Sequence, residues 1–293
     1  MYKVLIAAIA ALAIGAAATE ARAADSEPSA IHAFVDLSFK NAYITPRGLL
    51  VTNKGLTTQL LTGLAFDFYD SSTGMINNVS GSAGFWNDFA TNQNAAKVGS
   101  WNEFDWFVGG NVTFFKDWTA GATFLDFLSP PGAFKAEKNI EFSLGFNDSP
   151  YLKPISFHPY AKLFYAIAGD STVVLGKKGG TYDVELGMVP TIDVSPMGIP
   201  VTLTFPTWIT VGPASYWGGK SNFGVVSTGI SAKTPLSFIS PRYGSWYVDA
   251  GLQYYNLING KLVAAQIADG VAVSNTKGNN NVLVGSVGIG FGF

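Results

Sequence analysis

The sequence predicts an all-β fold, a transmembrane antiparallel up-and-down β-barrel of about twelve strands, and three observations carry that expectation. Only 13% of the 293 residues are charged, against roughly 25% in ordinary soluble domains, while 48% are hydrophobic. Beyond residue 23 no apolar run approaches the length of about 18 residues that a spanning helix needs. Apolar and polar residues alternate instead with period two along most of the chain, which marks strands whose two faces meet different surroundings. Together these disfavour a cytosolic enzyme, a helical membrane protein and a disordered chain.

Taken in order, residues 1–23 read as a cleaved secretory signal peptide. Lys3 forms the basic start, an apolar run extends from Val4 to about Ala18, and Ala21-Arg22-Ala23 supplies the small-residue cleavage site. Residues 24–293 then form a single barrel domain. Strands are expected near 31–44, 57–69, 76–88, 101–115, 118–128, 138–147, 155–168, 181–192, 200–211, 222–232, 245–257 and 282–293. A tilted strand crosses a bilayer in roughly 9 to 11 residues, and each segment is long enough. The clearest alternation sets Phe104, Trp106, Val108, Gly110, Val112 and Phe114 against Glu103, Asp105, Phe107, Gly109, Asn111 and Thr113. The last strand repeats it, with Leu283, Val287, Ile289, Phe291 and Phe293 against Ser286, Gly288, Gly290 and Gly292.

The connections alternate as well. Odd-numbered ones are long (45–56, 89–100, 129–137, 169–180, 212–221 and 258–281). Even-numbered ones are mostly short, as at Asp70-to-Met75, Lys116-Asp117, Asp148-to-Pro154 and Asp193-to-Ile199, with 233–244 breaking the trend. Long loops at one end and tight turns at the other suit a membrane barrel and have no counterpart in a sandwich. With strand one running outward, lipid-facing aromatics fall at two levels. Phe66, Phe68, Phe114, Trp118, Phe146, Phe157, Trp246, Phe291 and Phe293 lie near the turn end; Tyr43, Phe104, Trp106, Tyr165, Tyr182 and Tyr254 lie near the loop end. Two aromatic girdles flanking an aliphatic band are expected of such a wall.

In these features the chain resembles the bacterial outer-membrane β-barrel proteins, porin-like, as a class. The final strand, Gly285-Ser286-Val287-Gly288-Ile289-Gly290-Phe291-Gly292-Phe293, looks like the C-terminal assembly signal of that class, with Val287, Ile289, Phe291 and Phe293 as its apolar positions. The resemblance implies insertion into the cell outer membrane by the barrel-assembly machinery. The chain also resembles the short porins of the TorF type. There the first strand ends in a Tyr-x-x-Arg-Gly-like turn, and later strands read as acidic/aromatic alternations. Tyr43-Ile44-Thr45-Pro46-Arg47-Gly48 departs from that turn by one extra residue, and Glu103-Phe104-Asp105-Trp106 matches the second element.

Catalytic signatures are missing. There is no G-x-S-x-G elbow, no phosphate loop and no H-E-x-x-H motif. With no cysteine, thiolate metal sites, cysteine nucleophiles and disulfides drop out. His32 and His158 both face the lumen near the turn end, away from the outer rim where a barrel lipase would need its Ser-His pair. No catalytic residue, metal or cofactor is expected, and the near-neutral charge balance gives no reason to expect nucleic acid.

The informative set faces inward: Asp36, Lys40, Gln59, Asp67, Glu103, Asp105, Asn111, Glu141, Lys162, Asp183, Glu185, Asp249 and Gln253. So many polar groups would be costly in a dry core but not against water. The expected function is a channel for passive diffusion of small hydrophilic solutes. Its expected pore-lining residues are Lys40, Glu103, Asp105, Glu141, Lys162, Asp183 and Glu185, and the acid excess leans the wall toward cations. Pairing of the acids with Lys40 and Lys162, or occlusion by Phe107, Tyr160, Phe164, Tyr247 and Tyr255, would give instead a closed structural or surface-binding barrel. Arg47, Lys54, Lys97, Lys135, Lys177, Lys178, Lys220, Lys261 and Lys277 fall in the long loops, placed to meet lipopolysaccharide phosphates or attract anionic solutes. In the last loop, Asp269-Gly270 between two apolar stretches reads as a hairpin.

Overall fold

The computed structural model describes residues 30–91, 100–169, 179–268 and 277–293. The expected signal peptide, the Asp269-Gly270 turn and Lys97, Lys177 and Lys178 lie outside the described residues. Twelve long strands make the wall: β1 Ile31–Lys40, β2 Thr57–Asp70, β3 Ile76–Ala90, β4 Trp101–Phe114, β5 Trp118–Leu128, β6 Glu137–Phe146, β7 Tyr160–Ala168, β8 Thr181–Met188, β9 Thr207–Val211, β10 Phe223–Pro235, β11 Ser245–Leu257 and β12 Asn281–Gly292. Each pairs antiparallel with the next, and β1 pairs with β12 from Phe34↔Gly292 to Lys40↔Ser286. The sheet therefore closes and leaves no free edge.

Three expected strands are cut short, and proline is the reason. Alternation runs unbroken through 155–168, 181–192 and 200–211, but Pro159, Pro190 and Pro206 have no N–H to give to a ladder. Their turn-end portions become short strands of their own, Ile155–Ser156, Thr191–Asp193 and Thr202–Thr204, which continue the wall from β10. Carbonyls still bridge the break: Val189 N–H donates to Phe157 O at 2.8 Å, Phe205 N–H to Pro190 O at 2.8 Å and Gly229 N–H to Pro206 O at 2.9 Å. Two connections expected to be tight, at Asp148-to-Pro154 and Asp193-to-Ile199, thus belong to longer turn-end segments.

The faces sort as period two requires. Leu64, Phe85, Val108, Phe142, Leu186, Ile230, Leu252 and Val287 are exposed on the outside. Aromatic contacts lie at both levels of that surface: Trp118 against Phe146 at 4.8 Å and Trp246 against Phe291 at 4.6 Å between ring centroids near the turn end, Phe85 against Phe104 at 5.6 Å and Trp106 against Phe124 at 5.2 Å nearer the loop end. The main buried cluster lies inside the barrel toward the loop end. It joins Ile44, Leu49, Leu50, Phe164, Trp208, Tyr216, Trp217, Val225, Leu257 and Leu262. Much of it comes from three insertions between strands: a hairpin of Tyr43–Ile44 with Leu50–Thr52, helix α1 Ala214–Trp217 and helix α2 Gly260–Ala268.

Helix α2 corrects the expected hairpin arm at 262–268. Leucine, alanine, lysine and glutamine are good helix formers, and Asn259 caps the first turn by accepting the Lys261 N–H at 3.0 Å. Gln266, fully buried, exchanges hydrogen bonds with the Asn279 backbone at 2.6 and 2.8 Å, which ties the helix to the strand that follows.

Candidate functional site: the lumen and the inward hairpin

The hairpin of residues 43–52 turns into the barrel instead of rising from its rim. After Lys40 the chain is held to β12: Asn41 N–H donates to Gly285 O at 3.3 Å, and Gly285 N–H donates to the Asn41 side chain at 2.9 Å. The tip is a β-turn, Thr45-Pro46-Arg47-Gly48, closed by Gly48 N–H to Thr45 O at 2.8 Å. Gly48 sits at φ +91°, and a Cβ there would lie 3.0 to 3.1 Å from Leu257, Leu262 and Val225. Only glycine meets both conditions. Trp208 Nε1 donates to Pro46 O at 3.2 Å and pins the tip to β9.

Two expectations are overturned here. Tyr43, expected on the lipid face, lies inside the barrel, because the inward turn after Lys40 breaks the alternation. Its ring meets Trp86 at 5.4 Å and its hydroxyl donates to Glu103 at 2.9 Å. Arg47, expected among the outer-loop charges, is 6% exposed at the hairpin tip. Its Nε donates to Asp183 Oδ1 at 3.1 Å and its Nη2 to Glu141 Oε2 at 3.4 Å, while its guanidinium carbon sits 3.6 Å from the Phe164 ring centroid. Lys54, Lys135, Lys220, Lys261 and Lys277 are exposed on the loops as expected.

Lys40, Glu103, Asp105, Glu141, Lys162, Asp183 and Glu185 lie on the inward face of their strands. Lys162 ion-pairs with Glu141 at 3.6 Å and Glu185 at 4.0 Å. Tyr160 also donates to Glu185, at 2.9 Å. Lys40 donates to Gln59 at 2.5 Å. Glu103 takes the Tyr43 hydroxyl, and Asp105 Oδ1 is buried without a hydrogen-bond partner. Asp88, Glu137 and Lys233 face inward too, although sequence reasoning missed them. Asp88 had a findable signal: it stands two residues from Trp86 and so shares its face. It accepts from Thr57, Gln59 and Asn102 at 2.6, 3.3 and 3.2 Å.

Among the described residues the inward wall and hairpin tip carry ten carboxylates (Asp36, Asp67, Asp88, Glu103, Asp105, Glu137, Glu141, Asp183, Glu185 and Asp249) and four fixed cations (Lys40, Arg47, Lys162 and Lys233). The two ends differ. Toward the loops, Asp88, Glu103, Glu137, Glu141 and Asp183 are buried; toward the turns, Asp36, Lys233, Tyr247 and Asp249 are only partly so. Large rings in the bore are laid along the wall where glycine leaves room. A Cβ on Gly290 would clash with the Tyr247 hydroxyl, and one on Gly187 would clash with the Tyr160 ring. Tyr247 is fixed there by donating to Asp36 at 2.7 Å, with Lys233 Nζ 3.6 Å from its ring centroid.

The wall is closed, even-stranded and antiparallel, with an apolar exterior and a charged interior. No protein-family model matches the chain, so the TorF-type resemblance rests on its two short motifs alone, and no curated protein matches its sequence. Among solved structures it is similar to the NanC porin, at 11% identity over 88% of this chain and 98% of that one, with a TM-score of 0.46. It is similar also to an outer-membrane channel of Pseudomonas putida F1, at 10% identity over 94% and 100% of the two chains, TM-score 0.47. For the DcaP channel of Acinetobacter baumannii the values are 8%, 90%, 96% and 0.40.

The two histidines hold structure at the turn end. His32 Nε2 lies 3.2 Å from Asp67 Oδ2. His158 Nε2 lies 2.8 Å from Ser156 Oγ, while the nearby Asp148 carboxylate is taken up by the Phe157 and His158 N–H groups at 2.9 to 3.0 Å. That carboxylate braces a bend in which His158 adopts φ +47°.

Proposed function

We propose that the chain is an outer-membrane porin-like channel for passive diffusion of small hydrophilic solutes, with a lumen that leans cation-selective. The single observation that carries this reading is the inward charge set, ten carboxylates against four cations. An unpaired carboxylate is expensive to remove from water, so the partly exposed part of this excess, Asp36, Asp67 and Asp249, belongs beside water or mobile counter-ions. A ring of acids in a narrow bore concentrates cations. Lys40, Glu103, Asp105, Glu141, Lys162, Asp183 and Glu185 are its proposed pore-lining residues, and the hairpin tip at Arg47 sets the narrowest level. The Tyr160 and Tyr247 rings lie against the wall at Gly187 and Gly290.

A second reading, a closed barrel without conductance, is favoured by one observation: the loop half of the bore holds a buried cluster built on the hairpin, α1 and α2. Liposome swelling separates the two. Proteoliposomes of the purified chain should swell in isotonic glycine or arabinose at rates above protein-free liposomes; equal rates would leave the closed barrel. The proposal includes export through the 1–23 signal peptide and insertion by the assembly machinery through Val287, Ile289, Phe291 and Phe293. It also includes contact of Lys54, Lys135, Lys220, Lys261 and Lys277 with lipopolysaccharide phosphates.

A further inference from the structure

Arg47 occupies a box that would suit a free ligand of the same chemistry. The ring of Phe164, 1% exposed, supplies a flat face 3.6 Å from the guanidinium carbon. Asp183 and Glu141 accept from two different guanidinium nitrogens at 3.1 and 3.4 Å. These groups come from three adjacent strands, β6, β7 and β8, in one row across the wall: Phe164 pairs with Glu141 on one side and Asp183 on the other. The far side of the box is closed by Tyr216, whose hydroxyl faces the Asp183 carboxylate; both residues are 0% exposed. Burial and the Asp183 charge push the Tyr216 phenol above its ordinary range, so it stays a donor and acceptor at neutral pH. A planar cation held between an aromatic face and paired carboxylates is the arrangement in which guanidinium outperforms ammonium.

We propose that Phe164, Asp183, Glu141 and Tyr216 form a recognition site for guanidinium-bearing solutes, and that Arg47 is the chain's own tethered occupant of that site. The inference rests on the porin-like reading and deepens it by naming a substrate class. A tethered group competes at an effective concentration on the order of mM. Entering guanidinium therefore has to displace Arg47, and displacement loosens the hairpin that narrows the bore. Phe164 and the carboxylates belong to the wall strands, while the competing cation sits on the hairpin tip.

The test is calorimetric binding of guanidinium chloride and of L-arginine to the full chain in detergent, each below 50 mM to stay far from denaturing concentrations. L-citrulline, the uncharged isostere of arginine, is the control. Arg47→Ala should bind both cations at least tenfold more tightly than the unsubstituted chain and should not bind citrulline, and adding Asp183→Asn should abolish the gain. Equal affinities with and without Arg47, or equal binding of arginine and citrulline, would overturn the site. If Arg47→Ala does not reach the folded barrel, the unsubstituted chain still decides. Guanidinium should speed amide exchange at residues 43–50 where tetramethylammonium at the same concentration does not; no difference between the two salts counts against the site. The two readings fail separately. Arginine binding without channel activity removes the pore and keeps the site, whereas channel activity with no guanidinium preference keeps the pore and removes the site.

Discussion

At the scale of single residues, the lumen is organised by small residues as much as by charged ones. Gly290 has no side chain in the place that the Tyr247 ring fills, and the ring in turn directs its hydroxyl to Asp36. Gly290→Leu should push that ring into the bore and cost about 1–3 kcal/mol through overpacking. Urea unfolding of the folded barrel in lipid checks the cost, with Gly145→Ala as a control that should stay near neutral, since nothing lies within 4 Å of a Cβ there. The charged residues were legible in sequence as a face, because parity alone assigns Glu103, Asp105, Glu141, Lys162, Asp183 and Glu185 to one side. Their pairings were not. Arg47 meets Glu141 and Asp183 across 94 and 136 residues of chain, and no local pattern encodes a contact that distant.

At the scale of elements, alternation located all twelve barrel strands because the lipid and lumen faces impose opposite chemistry at every second residue. It could not see where a strand stops when proline interrupts the hydrogen bonds but leaves the pattern intact, as at Pro159, Pro190 and Pro206. Nor did it see that the first loop folds inward, since Leu49 and Leu50 read as ordinary loop residues until Leu257 and Leu262 close over the same turn. That element carries its own prediction. Replacing residues 43–52 with a short glycine-serine linker should leave the folded barrel intact, because the wall strands on either side, β1 and β2, pair directly over ten residues from Ile31↔Phe66 to Lys40↔Thr57. Single-channel conductance should rise severalfold. An unchanged conductance would show that the hairpin does not set the constriction.

At the scale of the whole molecule, low charge without a long apolar run becomes a statement about surfaces. The outer face holds the hydrophobic half of each strand, and the charges collect where water can reach them or where they can pair. The two faces should therefore tolerate charge very differently. Leu252→Lys, on the exposed outer face of β11, should cost roughly 2–4 kcal/mol if that level lies near the bilayer midplane. Asn111→Lys, on the lumen face of β4, should cost little by the same unfolding assay and shift ion preference toward anions. Similar costs at the two positions would contradict the assigned register.

A bore whose acid excess passes small cations is open to planar-bilayer recording of the purified chain under a potassium chloride gradient. Discrete channel steps are expected, with a reversal potential of the sign set by potassium that moves toward zero when Glu141 and Asp183 are both changed to their amides. Absence of steps, or a reversal potential of the sign set by chloride, would contradict it.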